Sequence, residues 1–319
     1  MAGGHGRPDL SIVIVSWRVW PHLRRCLLAL PAAAADIEYE VIVVDNASAD
    51  GTVAKLRAAF PWVKVLANRE NVLYTAAANQ GLAQARGRMQ MLLNPDMIPH
   101  PGSITRLVRY AEAHPEAGLL GPRILDPAGR DDWRTGRAFP TPWSEFVDWS
   151  GIGRWLPLPC LLKNRRPGYD RSQTSAVPLL SGACLLFSPY LPDALRQLSA
   201  AYPMYGEDID LCRRVWHAGL PCVLVAEATM THVGGASSAQ RPELSAWTAV
   251  SAMNRYFSTW EGKGAARWHR WLIGWIALFK TLVFCPLRAW HPRARRGCRV
   301  YRALLAWALF GREAPEPLR

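Results

Sequence analysis

The sequence predicts an α/β fold in which helices flank a mostly parallel sheet. Short, continuously apolar segments alternate with segments that tolerate helix, a pattern typical of parallel strands buried on both faces. The chain has 319 residues, of which 50% are hydrophobic, so it is long enough for one large domain or a domain with an appendage. We therefore expect a sheet-based core followed by a smaller segment.

The elements of this core can be placed in chain order. The predicted strands and the helices between them are 10–17 (strand), 19–30 (helix), 39–46 (strand), 51–60 (helix), 63–68 (strand), 74–86 (helix), 89–94 (strand), 100–114 (helix) and 118–125 (strand). Residues 126–177 are rich in Pro, Trp, Arg and Gly with weak periodicity, which indicates an insertion or a long functional loop. Regular structure resumes with 178–187 (strand), 206–220 (helix) and 221–235 (strand into a Gly turn).

Polar residues follow several of the predicted strands. The segment MLLNPDMIP (Met91–Pro99) is an apolar run that stops at Asn-Pro-Asp, so Asp96 is expected just past a strand's carboxyl end. Ser16, Asp45 and Asn68 close three other strands. In parallel sheets ligands lie outside the carboxyl ends of the strands, so these residues predict one site. Taken singly, Asp45 and Asp96 could instead belong to ordinary helix starts.

Two later segments also carry candidate chemistry. In YGEDIDLCRR, Glu207, Asp208 and Asp210 crowd a helix start, which the macrodipole favours but which also suits a general base aimed into a cleft. Asp210 is assigned mainly to helix structure, through an i,i+4 pair with Arg214. In THVGGASS, His232 precedes two glycines, so it is either a structural histidine or a ligand or phosphate contact.

The carboxyl-terminal segment, residues 261–319, is basic and Trp-rich. The formal net charge of the chain is +13, and between Arg255 and Arg319 there are 13 Lys/Arg against three acids. Such asymmetry favours an anionic partner: nucleic acid, a membrane surface or an acidic substrate. The apolar run between residues 270 and 288 is interrupted by Lys280 and Pro286, short of the ~20 clean residues of a spanning helix. We expect a helix on the membrane surface; the alternative is a core-packing helix with a basic edge.

The cysteines and the amino terminus bear on the compartment. The seven cysteines are scattered without a Cys-x-x-Cys motif, which predicts reduced thiols and neither a disulfide framework nor a zinc site. The amino terminus shows no apolar h-region, so no signal peptide is expected. Together with the basic segment, these features predict a cytoplasmic protein, peripheral on the inner face of the cell membrane.

Six motifs in order resemble the family 2 glycosyltransferases of the GT-A fold, with the strongest likeness to bacterial rhamnosyltransferase-like members. The motifs run from about Leu10 to Ser238 and are VSW, VVDNASADG, NRENV…AANQGLAQARG, LLNPD, GEDIDLCRR and HVGGAS. The resemblance implies a GT-A domain over residues 1–260, with residues 126–177 as an insertion or loop on the acceptor side. It further implies inverting transfer of a sugar, with rhamnose from dTDP-rhamnose as first candidate, to a hydroxyl of a lipid-linked or polysaccharide acceptor in cell-surface glycan synthesis. It also implies a divalent cation on the diphosphate, and no nucleic-acid partner.

The resemblance assigns roles to particular residues. Asp96, with Asn94 in the same motif, would take the place of the family's Asp-x-Asp metal motif, and His232 would be the other contact to metal or diphosphate. A nitrogen ligand favours Mn²⁺ over Mg²⁺. Asp208 would be the catalytic base and Glu207 would orient the acceptor. The residues assigned to the nucleotide-sugar are Ser16 and Trp17 (base and ribose), Asp45 (nucleobase), Asn71, Asn79 and Gly81 (beneath the nucleotide), Asn94 and Gly182.

The chain departs from the family pattern at several positions. It has Arg18 after VSW, Leu73 where relatives carry Gly, Ala78 in place of a paired Asn, and Ser188-Pro189 in place of Arg-Arg. These departures leave a catalytically inactive nucleotide-sugar-binding relative as one alternative, and the positive charge leaves a nucleic-acid-binding protein on a Rossmann-like scaffold as another. A dinucleotide-binding dehydrogenase is excluded because no G-x-G-x-x-G follows the first strand.

Overall fold

A computed structural model of the chain describes residues 7–152, 170–234 and 242–311. It divides into two compact units. The α/β unit takes in the described parts of 1–138, 167–203 and 207–237, and the helical unit those of 139–166, 204–206 and 238–319. This division differs from the predicted boundary at residue 260, since two helices before that residue belong to the helical unit.

The elements in chain order are β1 Leu10–Ser16, α1 Trp20–Ala33, β2 Tyr39–Asp45, α2 Thr52–Ala59, β3 Lys64–Ala67, α3 Leu73–Ala83, β4 Met89–Leu93, β5 Met97–Pro99, α4 Ser103–Ala113, β6 Leu119–Leu125, α5 Pro142–Ser150, β7 Ser175–Ala176, β8 Cys184–Phe187, α6 Glu207–His217, β9 Cys222–His232, α7 Pro242–Trp260, α8 Lys263–Phe284 and α9 Pro292–Phe310. Helices α5, α7, α8 and α9 form the helical unit, and the rest form the α/β unit.

The described strands form one mixed sheet, in the order β3-β2-β1-β4-β8-β6-β9-β5, with β7 paired to β9. The pairings among β1–β4 and between β6 and β9 are parallel, and those of β8, β5 and β7 are antiparallel. The sheet is thus parallel in its first half and mixed in its second. Its apolar strands are buried, with α1 and α4 contributing Leu23, Leu27 and Leu107 to the core.

The strand register fixes which residues share an edge. Ser16 pairs with Asp45 at the carboxyl ends of β1 and β2. Leu93, at the carboxyl end of β4, pairs with Cys184, at the amino end of the antiparallel β8. One edge of the sheet therefore carries the ends of β1, β2 and β4 together with the turn that precedes β8, as expected for a ligand-binding edge.

The helical unit packs around α8, which contacts α5, α7 and α9. One side of α8 is buried, with Ile273, Ile276 and Ala277 in a cluster that also holds Trp307 of α9. The Lys280 ammonium donates to the Trp149 carbonyl at 2.7 Å and to the Tyr301 hydroxyl at 3.0 Å. Lys280, which interrupts the apolar run in the sequence, therefore ties three helices together inside the unit.

Several expectations need correction. The predicted loop 126–177 contains helix α5 and the short strand β7. Helix α5 begins with a capping box formed by Thr141 and Ser144. Helix α7 was not predicted. The expectation of reduced thiols throughout was wrong, since Cys285 and Cys298 form a disulfide between the end of α8 and α9. Cys26, Cys184, Cys212 and Cys222 are free and buried, and Cys160 lies outside the described residues.

Candidate active site

The ends of β1 and β2 bury two polar atoms without partners. Ser16 is fully buried and Asp45 is 3% exposed, yet neither the Ser16 hydroxyl nor the Asp45 Oδ1 atom has a hydrogen-bond partner among the residues that the structure describes. The second carboxylate oxygen of Asp45 accepts from the Ser48 N–H at 3.0 Å. A buried polar atom without a partner is costly, so two of them on register-paired residues point to a ligand that would satisfy them.

A network centred on Asn46 shapes the loops beside these atoms. Its amide donates to Asn71 Oδ1 at 2.9 Å and accepts from the Val72 N–H at 3.0 Å. Asn71 also accepts from the Leu73 N–H at 2.9 Å. The side-chain oxygen of Asn71, a residue predicted to lie beneath the nucleotide, thus accepts hydrogen bonds from within the loop. The prediction missed Asn46, although it directly follows Asp45.

The same edge carries strained backbone. Arg18, Ala47, Ala49 and Leu73 all have positive φ, between 53° and 67°. Side chains other than Gly, Asn and Asp rarely adopt this conformation, at a cost of about 1 kcal/mol or more each. Arg18 and Leu73 are two of the departures from the family pattern. The positive φ at Leu73 explains why relatives carry glycine at this position, since glycine adopts positive φ without strain. Beside this loop, the Arg18 guanidinium lies 5.2 Å from the ring of the half-buried Trp17.

Two residues assigned to the nucleotide, Asn79 and Gly81, make contacts within the fold. The Asn79 amide donates to the Leu198 carbonyl at 2.8 Å and accepts from the Leu198 N–H at 2.9 Å, so it joins α3 to the segment before α6. A Cβ at Gly81 would come within 2.3 Å of Val13 Cγ1, so this glycine allows α3 to pack closely on β1. Both residues support the sheet edge from a distance.

The Asn-Pro-Asp turn places Asp96 beside His232, at the end of β9. The Asn94 carbonyl accepts from the Met97 N–H, and β5 then pairs with β9 so that Met97 lies opposite His232. Asp96 is 7% exposed, and its Oδ1 lies 3.3 Å from His232 Nε2. Burial acts to raise the pKa of Asp96, but the hydrogen bond and charge of His232 outweigh it and hold this pKa below its usual value. The predicted pair of Asp96 and His232 is therefore in contact.

A third residue, Asp132, completes this cluster and was not predicted. It is 7% exposed, and its Oδ2 lies 3.6 Å from His232 Nδ1. Burial would lower the pKa of His232, but Asp132 and Asp96 outweigh it and raise this pKa to about 9. Burial would also raise the pKa of Asp132, but His232 and Arg134 lower it to about 2. A pocket of about 330 Å³ opens here, lined by residues that include Asp132, Trp133 and Arg134.

Asp208 is held by a glycine. Its Oδ2 accepts from the Gly182 N–H at 3.0 Å, and a Cβ at Gly182 would lie 3.1 Å from the Asp208 Cβ. Gly182, predicted to contact the nucleotide-sugar, thus places Asp208 beside the turn before β8. Glu207 has a buried Oε2 without a partner, and burial, followed by the charge of Asp208, raises the pKa of Glu207 to about 8. The predicted pair of Asp210 and Arg214 is confirmed at 2.8 Å.

The distance between Asp96 Oδ1 and His232 Nε2 can be compared with the spacing of two ligands on one cation. Neighbouring ligands of an octahedral ion at roughly 2.1 Å stand about 3 Å apart, close to the observed 3.3 Å, so this pair is spaced to share one. Within the described ranges no three or more His, Cys, Asp or Glu side chains are arranged so that together they could hold a metal ion. The protein would therefore supply two donors, and a bound diphosphate and water the others. His232 would release its proton on binding.

Comparisons with known proteins identify the family of the chain. Residues 11–190 match the family described as glycosyl transferase family 2. The N-acetylglucosaminyl-diphospho-decaprenol L-rhamnosyltransferase of Mycobacterium tuberculosis is 31% identical over 246 residues, which cover 73% of this chain and 78% of that protein.

Solved structures show the same fold. The mannosyltransferase PcManGT of Pyrobaculum calidifontis, in complex with GDP-Man and Mn²⁺, aligns with a TM-score of 0.56 at 14% identity and covers 97% of this chain and 89% of that one. GalNAc-T7 with UDP, GalNAc and Mn²⁺ aligns at 0.51 and 15% identity, over 72% of this chain and 44% of that one. The predicted GT-A architecture is confirmed, with a mixed sheet and a helical appendage. The chain belongs to glycosyl transferase family 2 and is a rhamnosyltransferase-like glycosyltransferase.

Proposed function

We propose that the protein transfers a sugar, with inversion, from a nucleotide-sugar to a hydroxyl of a lipid-linked acceptor in cell-surface glycan synthesis. The observation that carries the proposal is the convergence of Asp45, the Asp96–His232 pair and Asp208 at ends and turns along one sheet edge. The relative named above acts as an L-rhamnosyltransferase on a diphospho-decaprenol acceptor. We take dTDP-rhamnose as the first donor to test.

The donor's base would lie at the ends of β1 and β2. Asp45 Oδ1 and the Ser16 hydroxyl are buried without partners, so an imide N–H and a carbonyl of a pyrimidine would satisfy both atoms. The half-buried Trp17 would cover the ribose. Asn71, through the Asn46 network, would hold the loop against the nucleotide.

Asp96 and His232 would hold the divalent cation. When bound, it supplies positive charge to the leaving diphosphate. Asp96 contributes the carboxylate and His232 the nitrogen, a donor set that suits Mn²⁺ as well as Mg²⁺. The turn from Asn94 to Met97 fixes the Asp96 backbone, so this carboxylate needs little reorganisation to bind.

Asp208 would act as the general base. Inverting transfer requires a group that takes the proton of the acceptor hydroxyl as the oxygen attacks the anomeric carbon opposite the leaving group. The Gly182 N–H holds one oxygen of Asp208 and so fixes the carboxylate. Glu207, whose raised pKa keeps it protonated at neutral pH, would donate a hydrogen bond that orients the acceptor.

The exposed side of α8 would bring the protein to a lipid-linked acceptor. Every exposed residue from Trp268 to Val283 is apolar, namely Trp268, Trp271, Trp275, Leu278, Phe279, Leu282 and Val283. These seven residues, which we call the α8 apolar face, follow helical spacing opposite the buried side. Contiguous exposed apolar surface marks an interaction site, and tryptophans suit the boundary between headgroups and acyl chains.

Charge favours a membrane as the occupant of this face. The chain after α8 exposes Arg288, Arg293, Arg295 and Arg296, which would attract anionic headgroups. Among the helices that the structure describes, none combines the length and apolar character needed to cross a membrane. The proposed placement is therefore peripheral, on the cytoplasmic face, with α8 lying in the headgroup region.

The transfer reaction itself tests this proposal. Purified protein is incubated with dTDP-[¹⁴C]rhamnose, Mn²⁺ and a short polyprenyl-diphospho-N-acetylglucosamine, and label is measured in the lipid fraction. Incorporation that requires both the cation and Asp208 is expected. A parallel thermal-shift panel of UDP-, GDP- and dTDP-sugars would identify another donor. Binding of no nucleotide-sugar in that panel would contradict the proposal.

A further inference from the structure

We propose that Asp132 is a positioning residue that holds the His232 imidazole by its Nδ1 atom and so directs Nε2 toward Asp96. This inference rests on the cation site of the proposed function and adds to it a residue that no motif identifies. Histidines that bind metals usually donate their second ring N–H to a carboxylate, which fixes the tautomer and the orientation of the ring.

The two ring nitrogens of His232 face different carboxylates. Nε2 lies 3.3 Å from Asp96 Oδ1, and Nδ1 lies 3.6 Å from Asp132 Oδ2. The second distance is a few tenths of an ångström longer than a hydrogen bond, and the buried Nδ1 has no hydrogen-bond partner within the described part of the chain. A proton on Nδ1, shared with Asp132, leaves the Nε2 lone pair directed at the cation side.

Asp132 is itself fixed in place. Its backbone N–H donates to the Ile124 carbonyl at 2.8 Å, and its Oδ1 accepts from the Arg134 N–H at 2.9 Å. The Arg134 guanidinium donates to Oδ2 at 2.9 Å. Arg171 donates to the carbonyls of Thr135 and other residues of the same loop. Arg134 thus donates to both oxygens of the Asp132 carboxylate, on a loop that Arg171 also stabilises, so Asp132 can hold the ring in one orientation.

The neighbouring Asp131 provides a matched control. Its carboxylate forms two hydrogen bonds with the Arg123 guanidinium, at 2.7 Å and 3.1 Å, and lines the same pocket without an ion pair to His232. Asp131→Asn and Asp132→Asn remove the same charge from adjacent positions. Asn at 132 can still accept from the Arg134 N–H, so a role limited to stabilising the turn would survive the substitution.

The test measures Mn²⁺ affinity by electron paramagnetic resonance of free Mn²⁺, in full-length protein with saturating dTDP. We expect Asp132→Asn to weaken Mn²⁺ binding by about 10-fold or more, whereas Asp131→Asn stays near wild type. Equal Mn²⁺ affinities for the two variants would overturn the inference. If neither wild type nor Asp131→Asn bound Mn²⁺, the cation site of the proposed function would fail, and this inference with it.

A second measurement needs no substitution at residue 132. Long-range ¹H–¹⁵N spectra of the histidine rings, with the His232 signals assigned from a His232→Gln variant, report the tautomer in the Mg²⁺–dTDP complex. We expect the Nδ1–H tautomer for His232. An Nε2–H tautomer in that complex would overturn the inference even if Asp132→Asn failed to fold.

Discussion

The binding edge of the α/β unit and the exposed side of α8 in the helical unit depart from ordinary burial in opposite ways. At its binding edge the α/β unit buries polar atoms without partners, including the Ser16 hydroxyl and Asp45 Oδ1. The helical unit exposes large apolar side chains, with Phe279 67% and Trp275 54% exposed. Unpartnered polar atoms favour a polar ligand, and exposed hydrocarbon favours an apolar phase. The polar edge would therefore suit a nucleotide-sugar, and the exposed side of α8 would suit the membrane that holds a lipid-linked acceptor.

The largest expected effect tests the polar side of the contrast. Asp208→Asn removes the proposed base but keeps the hydrogen bond from Gly182, so transfer should fall by roughly 10²–10⁴-fold while dTDP affinity changes little. Rates and dTDP affinity are measured on the same preparation. As a control, Asp210→Asn on the same helix breaks the Arg214 pair and should lower stability more than turnover. Wild-type turnover by Asp208→Asn would remove the base assignment.

Asp45→Ala should weaken dTDP binding by about 10–100-fold, because a buried hydrogen bond to a charged group contributes about 1.5–3 kcal/mol. Isothermal titration gives the affinity. Asp50 lies in the same loop but accepts from Thr52 and is exposed, so Asp50→Ala should bind dTDP normally. An equal loss in both variants would mean that Asp45 acts only through the loop.

A smaller effect tests the apolar side. Phe279→Ser should weaken binding to vesicles rich in phosphatidylglycerol by about 10-fold. This is the lower end of the roughly 1.5–3 kcal/mol for fully burying such a side chain, because Phe279 is 67% exposed and has only part of its surface left to bury. Flotation measures the bound fraction. Leu28 is 55% exposed on α1 and serves as the control, so Leu28→Ser should float like wild type. If both variants floated alike, the α8 apolar face would not be the membrane contact.

Glu207 makes a pH-dependent prediction. Its pKa is raised to about 8, whereas in the unfolded chain it ionises near 4.3, so this group lowers the free energy of unfolding progressively as pH rises from about 4.3 to 8. Glu207→Gln cannot ionise and should remove that decline. Urea unfolding at several pH values between 5 and 8 measures it. A parallel decline in wild type and variant would show that Glu207 ionises freely.

The smallest effect concerns strain at the binding edge. Ala49 has φ of 54° and an exposed side chain, so Ala49→Gly should raise the free energy of unfolding by about 1 kcal/mol. Ala54 is exposed within α2, where glycine should cost a similar amount. Opposite signs in urea unfolding are expected. A loss of stability at both positions would argue against strain at Ala49.

How far the sequence could predict this molecule depends on the kind of signal. Strands β1–β4 were predicted within about one or two residues, because each is a short apolar run. The contact between Asp96 and His232 followed from resemblance. The contacts of Asn79 with Leu198 and of Gly81 with Val13 could not be predicted, since a motif does not state which way a side chain faces. Asp132 could not be chosen over Asp131 because only folding turns one toward His232.

The helical unit was harder to predict for a different reason. The apolar character of α8 suggested either a membrane or a core, and the structure shows a buried side and an exposed side on one helix. The disulfide had no sequence signal, since a spacing of 13 residues has meaning only once α8 and α9 lie side by side. Pro242 and Glu243 are typical of a helix start and mark the beginning of α7, but the predicted boundary at residue 260 places this helix in the preceding domain.

The most direct test of the central claim is a crystal structure of the protein with dTDP and Mn²⁺, using anomalous scattering to locate the cation. We predict an Mn²⁺ peak bound by Asp96 and His232 Nε2, and the thymine ring within hydrogen-bond distance of Asp45 Oδ1. A nucleotide bound away from the ends of β1 and β2, or a cation held by other residues, would contradict this account.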